Sequence, residues 1–247
     1  MIKDNKFQKD WRNIRFGITG VSGSLGLSLS KALRSKGAYV VGFTHKSINS
    51  KKYNSKDSPN QWIQWECGKE EELDQILKTL DVLILNHGIN SKESSKNEEI
   101  NKSLEVNALS TLRLIQRFER IVLAEKTIVR PREIWVNTSE AEIQPAFSPL
   151  YEISKRLIGQ LVSYKFSSLT NKEKERLTIK KIILGPFRSK LNPIGIMNSD
   201  FVANQIICQS NLPFNLIIIT PNPLTYLIIP INEILRYLYF KLLKINI

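Results

Sequence analysis

This chain of 247 residues predicts a doubly wound α/β fold, a single parallel sheet with helices on both faces. Three observations carry that reading. Strand-like and helix-like segments alternate from end to end. A glycine-rich turn joins the first strand to the first helix. The run Asp81-Val82-Leu83-Ile84-Leu85 is continuously apolar, as in a parallel strand covered on both sides. No repeat or interdomain linker divides the chain, and its length suits one sizeable core.

Composition narrows the classes. With 42% hydrophobic and 24% charged residues the chain is globular in character. The net charge of +13 would suit nucleic acid, an anionic membrane surface or a phosphorylated ligand, or would simply reflect a drift toward Lys, Asn and Ile. The lysines are scattered and form no basic stripe with interleaved aromatics, which argues against nucleic acid. The only cysteines, Cys67 and Cys208, make no disulfide framework and fit a reducing cytoplasm. The only histidines, His45 and His87, exclude a histidine-rich metal centre, so no metal site is expected. The N-terminus lacks an apolar stretch of the signal-peptide kind, which adds to the cytoplasmic expectation.

From the N-terminus, residues 1–13 are polar and read as a loose arm. Ile14 to Thr19 is a short β-type run, followed at once by Gly20-Val21-Ser22-Gly23-Ser24-Leu25-Gly26. Leu25, Leu27, Leu29, Ala32 and Leu33 recur at helical spacing up to a stop at Gly37, and Ala38 to Phe43 restarts a strand. Strand, glycine turn, helix and strand within about 30 residues form the context of a dinucleotide fingerprint. Gly20 permits the tight turn, Gly23 lets the backbone approach a pyrophosphate at the helix N-terminus, and Gly26 lets the helix pack closely on the sheet. The second strand runs into Thr44-His45-Lys46, with no acidic residue to grip a ribose 2′-hydroxyl. These three residues suit a 2′-phosphate, hence NADP in preference to NAD; the alternative is a basic loop of no consequence.

Residues 47–60 form a polar loop, Trp62 to Trp65 a brief strand ending at Glu66-Cys67-Gly68, and Lys69 to Leu80 a helix. The strand at 81–85 ends in Asn86-His87-Gly88, where His87 reads as a packing residue; residues 90–98 are again a polar loop. One long helix is predicted from Glu98 to Leu123, with Asn107 a poorly suited amide inside it. Ile134 to Val136 is a strand leading to Asn137-Thr138-Ser139. After a loop holding Pro145 and Pro149, a helix runs from Tyr151 to about Phe166. Residues 170–178 read as a charged turn, Ile179 to Leu184 as a strand stopped by Gly185-Pro186, Ser199 to Gln209 as a helix and Leu216 to Thr220 as the last strand. Residues 14–222 thus make the nucleotide-binding domain with its own active site. Residues 223–247 form an amphipathic segment interrupted at Pro230, too charged and broken to span a bilayer, with basic residues flanking leucines and aromatics. Such a segment either lies on an anionic membrane or packs on its own domain or a partner.

Tyr151 and Lys155 lie four apart, on one helical face. A free phenol, with a pKa of about 10, is a poor proton carrier near neutrality; a fixed cation nearby favours the phenolate and fits the pair for general acid–base work. Alone, the pattern equally describes a solvated helix face.

Four features in order give the pair its context: T-G-x-x-G-x-x-G at Thr19–Gly26, Asn86-x-Gly88 after the fourth strand, Asn107 in the long helix, and Ser139 ahead of Tyr151-x-x-x-Lys155. Over about residues 14–220 the chain resembles the short-chain dehydrogenase/reductase family, with its Rossmann-type sheet. The segments NTSEAEIQPAFSPLYEISKR and LGPFRSKLNPIGIM more narrowly resemble the reductase half of cyanobacterial proteins labelled bifunctional sterol desaturase/short-chain dehydrogenase. With two histidines the chain cannot supply the desaturase half's histidine boxes and would be a free-standing reductase part.

The resemblance implies an NAD(P)-dependent oxidoreductase that moves a hydride between nicotinamide and a carbonyl or secondary alcohol of a hydrophobic small molecule. Tyr151 would exchange the proton, Lys155 would lower its pKa and bind the nicotinamide ribose, Ser139 would donate to the substrate oxygen, and Asn107 would hold a relay water. Gly20, Ser22, Gly23 and Leu25 would line the pyrophosphate, Asn86 and Gly88 the adenosine ribose, Glu66 the adenine side, and Gly185 and Pro186 the nicotinamide. Relatives commonly pair through the Asn107 and Tyr151 helices, so a homodimer or homotetramer is expected. The chain departs from the family's commonest pattern at the spacing of its glycines, at His87 where alanine is usual, at the reversed Gly185-Pro186, and in a Ser139–Tyr151 interval one residue short. The last leaves Thr138 as a second candidate hydroxyl. A nucleotide-binding sensor or scaffold at a membrane, without turnover, is the competing reading.

Overall fold

The computed structural model describes residues 10–48, 57–91, 96–127 and 129–245. Seven strands are present, β1 (Arg15–Thr19), β2 (Tyr39–Thr44), β3 (Gln61–Gln64), β4 (Val82–Leu85), β5 (Arg132–Ser139), β6 (Leu177–Leu184) and β7 (Leu216–Ile219). All pair in parallel, in the order β3-β2-β1-β4-β5-β6-β7. The chain builds outward from β1 to β3, then crosses back to start the other half at β4. Loops leaving β1 and β4 therefore diverge and open a crevice at the carboxyl ends of the strands, the place where such sheets bind ligands. The doubly wound expectation holds.

The helices are α1 (Ser24–Arg34), α2 (Asp74–Leu77), α3 (Asn97–Leu104), α4 (Ser110–Ala124), α5 (Pro149–Ser168), α6 (Asn171–Lys174), α7 (Ser199–Ser210) and α8 (Pro223–Ile245). Strand residues alternate between two cores, because successive side chains point to opposite faces. Phe16, Ile18, Val82, Ile84, Trp135 and Ile182 pack under α1 and α7. Leu83, Leu85, Ile134, Val136 and Ile179 pack under α2, α4 and α5. At the β7 edge α8 extends that second layer, burying Ile229 against Ile183 and Ile218.

Several sequence-based boundaries move, each for a physical reason. Trp11 is not part of a loose arm: it is buried, its ring 5.3 Å from Phe16 and 6.2 Å from Trp135, and it closes one end of the core. Residues 1–9 of the expected arm, and most of the loops expected at 47–60 and 90–98, lie outside the described residues. The helix expected at Lys69–Leu80 begins as a 3₁₀ turn, Glu70–Leu73, and ends at Leu77. The long helix expected from Glu98 is split by a π turn, Glu105–Leu109, that contains Asn107. β5 and β6 are longer than their apolar runs, because eight residue pairs bond them from Arg132 with Leu177 to Ser139 with Leu184. Part of the charged turn forms α6, opened by a capping box in which Thr170 and Glu173 satisfy each other's backbone N–H groups. Pro230 does not interrupt α8, which continues through it. No described helix is long and apolar enough to cross a membrane.

Candidate active site

The glycine turn is shaped by contacts with the loop after β4. Gly20 adopts φ +63°, and a Cβ there would meet the His87 Cα at 2.8 Å, so both conformation and space demand glycine. Gly26 sits where a Cβ would come within 2.6 Å of the Val21 Cα, which sets α1 tightly on the turn. Gly23 precedes α1 in extended conformation, leaving the helix's first N–H groups facing the crevice; no acidic side chain lies in that first turn to compete for them. Ser22 accepts a hydrogen bond from the Thr44 hydroxyl at 3.0 Å.

That bond alters the reading of β2's end. Thr44 is buried and tied to the turn; His45 and Lys46 are exposed beside it. A 2′-phosphate would therefore meet His45 and Lys46, with Thr44 as their support. Glu66, beyond the edge strand β3, is exposed and ion-paired with Lys69 at 3.3 Å.

Thr19, at the end of β1, organises the loop after β4. Its hydroxyl oxygen accepts from the Asn86 N–H at 2.9 Å and lies 2.8 Å from His87 Nδ1. The His87 ring packs edge-on against Trp65, and its Nε2 lies 3.4 Å from the Thr111 hydroxyl. Burial, and then the nearby Lys155 charge, push the His87 pKa down to about 4, so the ring is neutral at pH 7. It is a packing residue, as expected. Asn86 Oδ1 accepts from Asn137 Nδ2 at 2.9 Å, joining the ends of β4 and β5.

The π turn aims Asn107 at the same loop. Its amide oxygen accepts from the Ile89 N–H at 2.8 Å and its nitrogen donates to the Ile89 carbonyl at 3.0 Å and to the Ser154 hydroxyl at 2.9 Å. An extra residue in a helical turn is a frequent mark of a functional position, and here it brings a buried amide to a backbone loop. Gly88 lies against it, where a Cβ would stand 3.1 Å from Asn107 Oδ1 and 4.0 Å from Lys155 Nζ.

Ser139 closes β5 and caps the following 3₁₀ turn, Glu140–Glu142, its oxygen accepting from the Ala141 N–H at 3.2 Å. Its own proton has no acceptor among the described residues. Thr138 instead donates to the Ile182 carbonyl at 3.2 Å, so β5–β6 pairing occupies the second candidate hydroxyl. Pro149 starts α5, its missing N–H harmless in the first turn; Tyr151 follows two residues on and Lys155 one turn beyond Tyr151. Lys155 Nζ stands 5.6 Å from the Tyr151 ring centroid. It is only 7% exposed and donates to no described residue. A buried ammonium without a hydrogen-bond acceptor costs free energy unless a ligand supplies one, and a ribose hydroxyl is such an acceptor. Together with the open helix N-terminus this fits a dinucleotide.

Gly185 packs on Thr220, leaving no room for a Cβ, and the Pro186 carbonyl accepts from the Ile196 and Met197 N–H groups. The loop so anchored walls a cavity of about 600 Å³ that reaches Ser24 at the start of α1. Its cations, Arg188 and Lys190, are not singled out by the sequence, and neither is the buried Ser154; in the one-dimensional chain nothing separates these residues from the other Lys, Arg and Ser.

Residues 17–140 match the NAD dependent epimerase/dehydratase family. The chain is 39% identical over 228 residues to a monoglucosyldiacylglycerol epimerase of Synechocystis sp., covering 92% of this chain and 54% of that protein. It thus spans about half the length of that curated relative. Among solved structures it resembles a short chain dehydrogenase from Burkholderia cenocepacia in complex with NADP, with TM-score 0.73 and 16% identity over 90% of this chain and 93% of that one. It also resembles a short chain dehydrogenase from Leptospira borgpetersenii with bound NAD+, with TM-score 0.69 and 20% identity over 89% of this chain and 95% of that one. With a crevice shaped for a dinucleotide and a match over half its length, the chain belongs to the NAD dependent epimerase/dehydratase family, an NAD(P)-dependent enzyme on the short-chain dehydrogenase/reductase fold.

Proposed function

We propose that the protein interconverts a secondary alcohol and its ketone on the sugar of a glycosylated diacylglycerol or a related lipid, and that it does so as an epimerase. The observation that supports this is that Lys155 stands 5.6 Å from the Tyr151 ring, with Asn107 bonded to the adjoining Ser154, while Ser139 ends β5, the strand next to β4. The lipid class is supported by the relative's name and by Phe147, Leu191, Ile194 and Ile196, all exposed on the two loops that carry or flank the site. A sensor without turnover has no physical need of that proton-handling set.

Inverting a carbinol carbon requires its hydrogen to leave one face and return to the other. The nicotinamide, when bound, supplies the acceptor and donor for that hydride. Tyr151 takes the hydroxyl proton as the ketone forms and returns it as the alcohol re-forms, so the cycle balances without a second reductant. Lys155, 5.6 Å from the Tyr151 ring, holds its ammonium where a ribose hydroxyl could accept from it. Ser139, its proton uncommitted, donates to the oxygen on which negative charge develops. Asn107 holds the Ile89 backbone, and with it the loop that flanks Lys155. His45 and Lys46 favour NADP, with NAD as the alternative.

The test is turnover of glucosyl diacylglycerol dispersed in detergent, with NADP(H) or NAD(H), followed by sugar analysis of the product. Tyr151→Phe should lower kcat by about 10²–10⁴-fold while leaving cofactor affinity nearly unchanged. Cofactor binding with no turnover of this lipid or of a panel of carbonyls and alcohols would favour the sensor. Failure of both nucleotides to bind at millimolar concentration would overturn both readings.

A further inference from the structure

α8 turns Ile229 and its acidic residue inward and leaves most of its leucines outward. Lys181, on β6, donates to Glu142 at 2.7 Å and to Glu233 of α8 at 2.9 Å. Arg236 of α8 bonds the same two carboxylates, at 3.2 Å and 2.9 Å. Thr225, fully buried, bonds Gln144 and Glu140. Rolling the helix to bury its leucines would pull Glu233 and Arg236 away from the buried Lys181–Glu142 pair and break the charged network that seats α8, which is costlier than leaving apolar side chains in water. The interior therefore fixes which side of α8 faces out.

On that outward side Leu224, Leu227, Ile231, Leu235, Leu238 and Leu242 are each half or more exposed and follow helical spacing. The stripe runs about 27 Å along the helix, and a contiguous run of exposed apolar side chains of that kind marks an interaction site. Glu233 is the only acidic residue of α8, and it is turned inward; Lys241 flanks the stripe. The helix starts at the active site: Gln144, which bonds Asn222 and Thr225, lies between Ser139 and Tyr151, three residues before the fully exposed Phe147.

We infer that the outer side of α8 is a docking surface for an anionic lipid bilayer, with the helix lying in the interface and the active-site mouth alongside it. A stripe without acidic groups, a cationic flank and a chain charge of +13 favour anionic lipid, and disfavour the stacking of two like-charged copies. Only the motive rests on the glycolipid substrate. Vesicle binding needs neither substrate nor turnover, so failure of this inference and failure of the proposed chemistry are distinguishable.

The experiment is flotation of the full chain with vesicles of phosphatidylcholine alone or mixed with phosphatidylglycerol. The wild type should float with the anionic vesicles, less so at high salt. Leu227→Glu with Leu235→Glu should lower binding about tenfold or more, leaving cofactor binding and elution volume unchanged. The milder pair Leu227→Gln and Leu235→Gln serves if the glutamates disturb folding. A wild type that stays unbound with both vesicle types, variants that bind as well as the wild type, or a wild-type dimer that the substitutions split would each overturn the inference, the last assigning the stripe to a second copy.

Discussion

His87 stands near enough to Lys155 to feel its charge, and burial among neutral partners sets the charge state of the imidazole. Lys155 keeps a polar crevice beside it, where a ligand can share its protons. The His87 ring lies between Thr19, Thr111 and Trp65, with room for one N–H donor and one acceptor. In the unfolded chain the imidazole takes its second proton near pH 6.5, and in the folded chain only near 4. Between those values the unfolded state binds more protons, so His87 costs no stability above about pH 6.5 and an increasing amount as pH falls toward 4. Thermal unfolding of the wild type and of His87→Ala across that window should therefore converge on acidification, by up to about 3 kcal/mol. Parallel curves would show that His87 does not carry the penalty. At this scale the sequence displayed chemistry better than orientation. Tyr151, Lys155, Asn107 and Ser139 were legible as types at fixed spacing. That Thr138 turns to β6, and Thr44 beneath the glycine turn, was not, because each depends on a partner contributed by another segment.

Among the elements, the strands were legible because burial on both faces writes itself as an unbroken apolar run. The π turn was not, since an inserted residue leaves the helical pattern on either side intact. α8 shows the limit most plainly: its leucines mark an amphipathic helix, while the direction they face is set by Glu142 and Lys181, far away in sequence. Gly159 belongs to the same arrangement, for a Cβ there would collide with the Glu142 carboxylate. Lys181→Met removes one of the two cations shared by the buried Glu142 and the part-buried Glu233, leaving both carboxylates to Arg236 alone, and Glu142 already has one oxygen without a partner. The substitution should destabilise the protein by about 3–5 kcal/mol. Adding Glu142→Met should recover part of that loss, because the uncompensated charge goes with it. Both are read by denaturant unfolding; an exposed, dispensable pair would instead give a change below about 1 kcal/mol.

At the scale of the molecule, the strand order makes a cofactor part of the stability. The glycine turn and the end of β2 belong to one half of the sheet, and Gly88, Ser139 and Lys155 belong to the other; a dinucleotide in the crevice would contact both. A ligand held only by the folded state stabilises it by about 2.7 kcal/mol at a hundredfold excess over Kd. For a domain of this size that is roughly a 5–10 °C rise in Tm. The absence of an acid after β2, and the exposed His45 and Lys46, predict a larger rise with NADPH than with NADH at equal concentration. If Lys46 meets a 2′-phosphate as proposed, Lys46→Glu puts in its place an anion suited to a 2′-hydroxyl and should reverse that order. If NADH raises Tm as much as NADPH in the wild type, His45 and Lys46 are only a solvated end of β2, and the choice of cofactor is made elsewhere in the crevice.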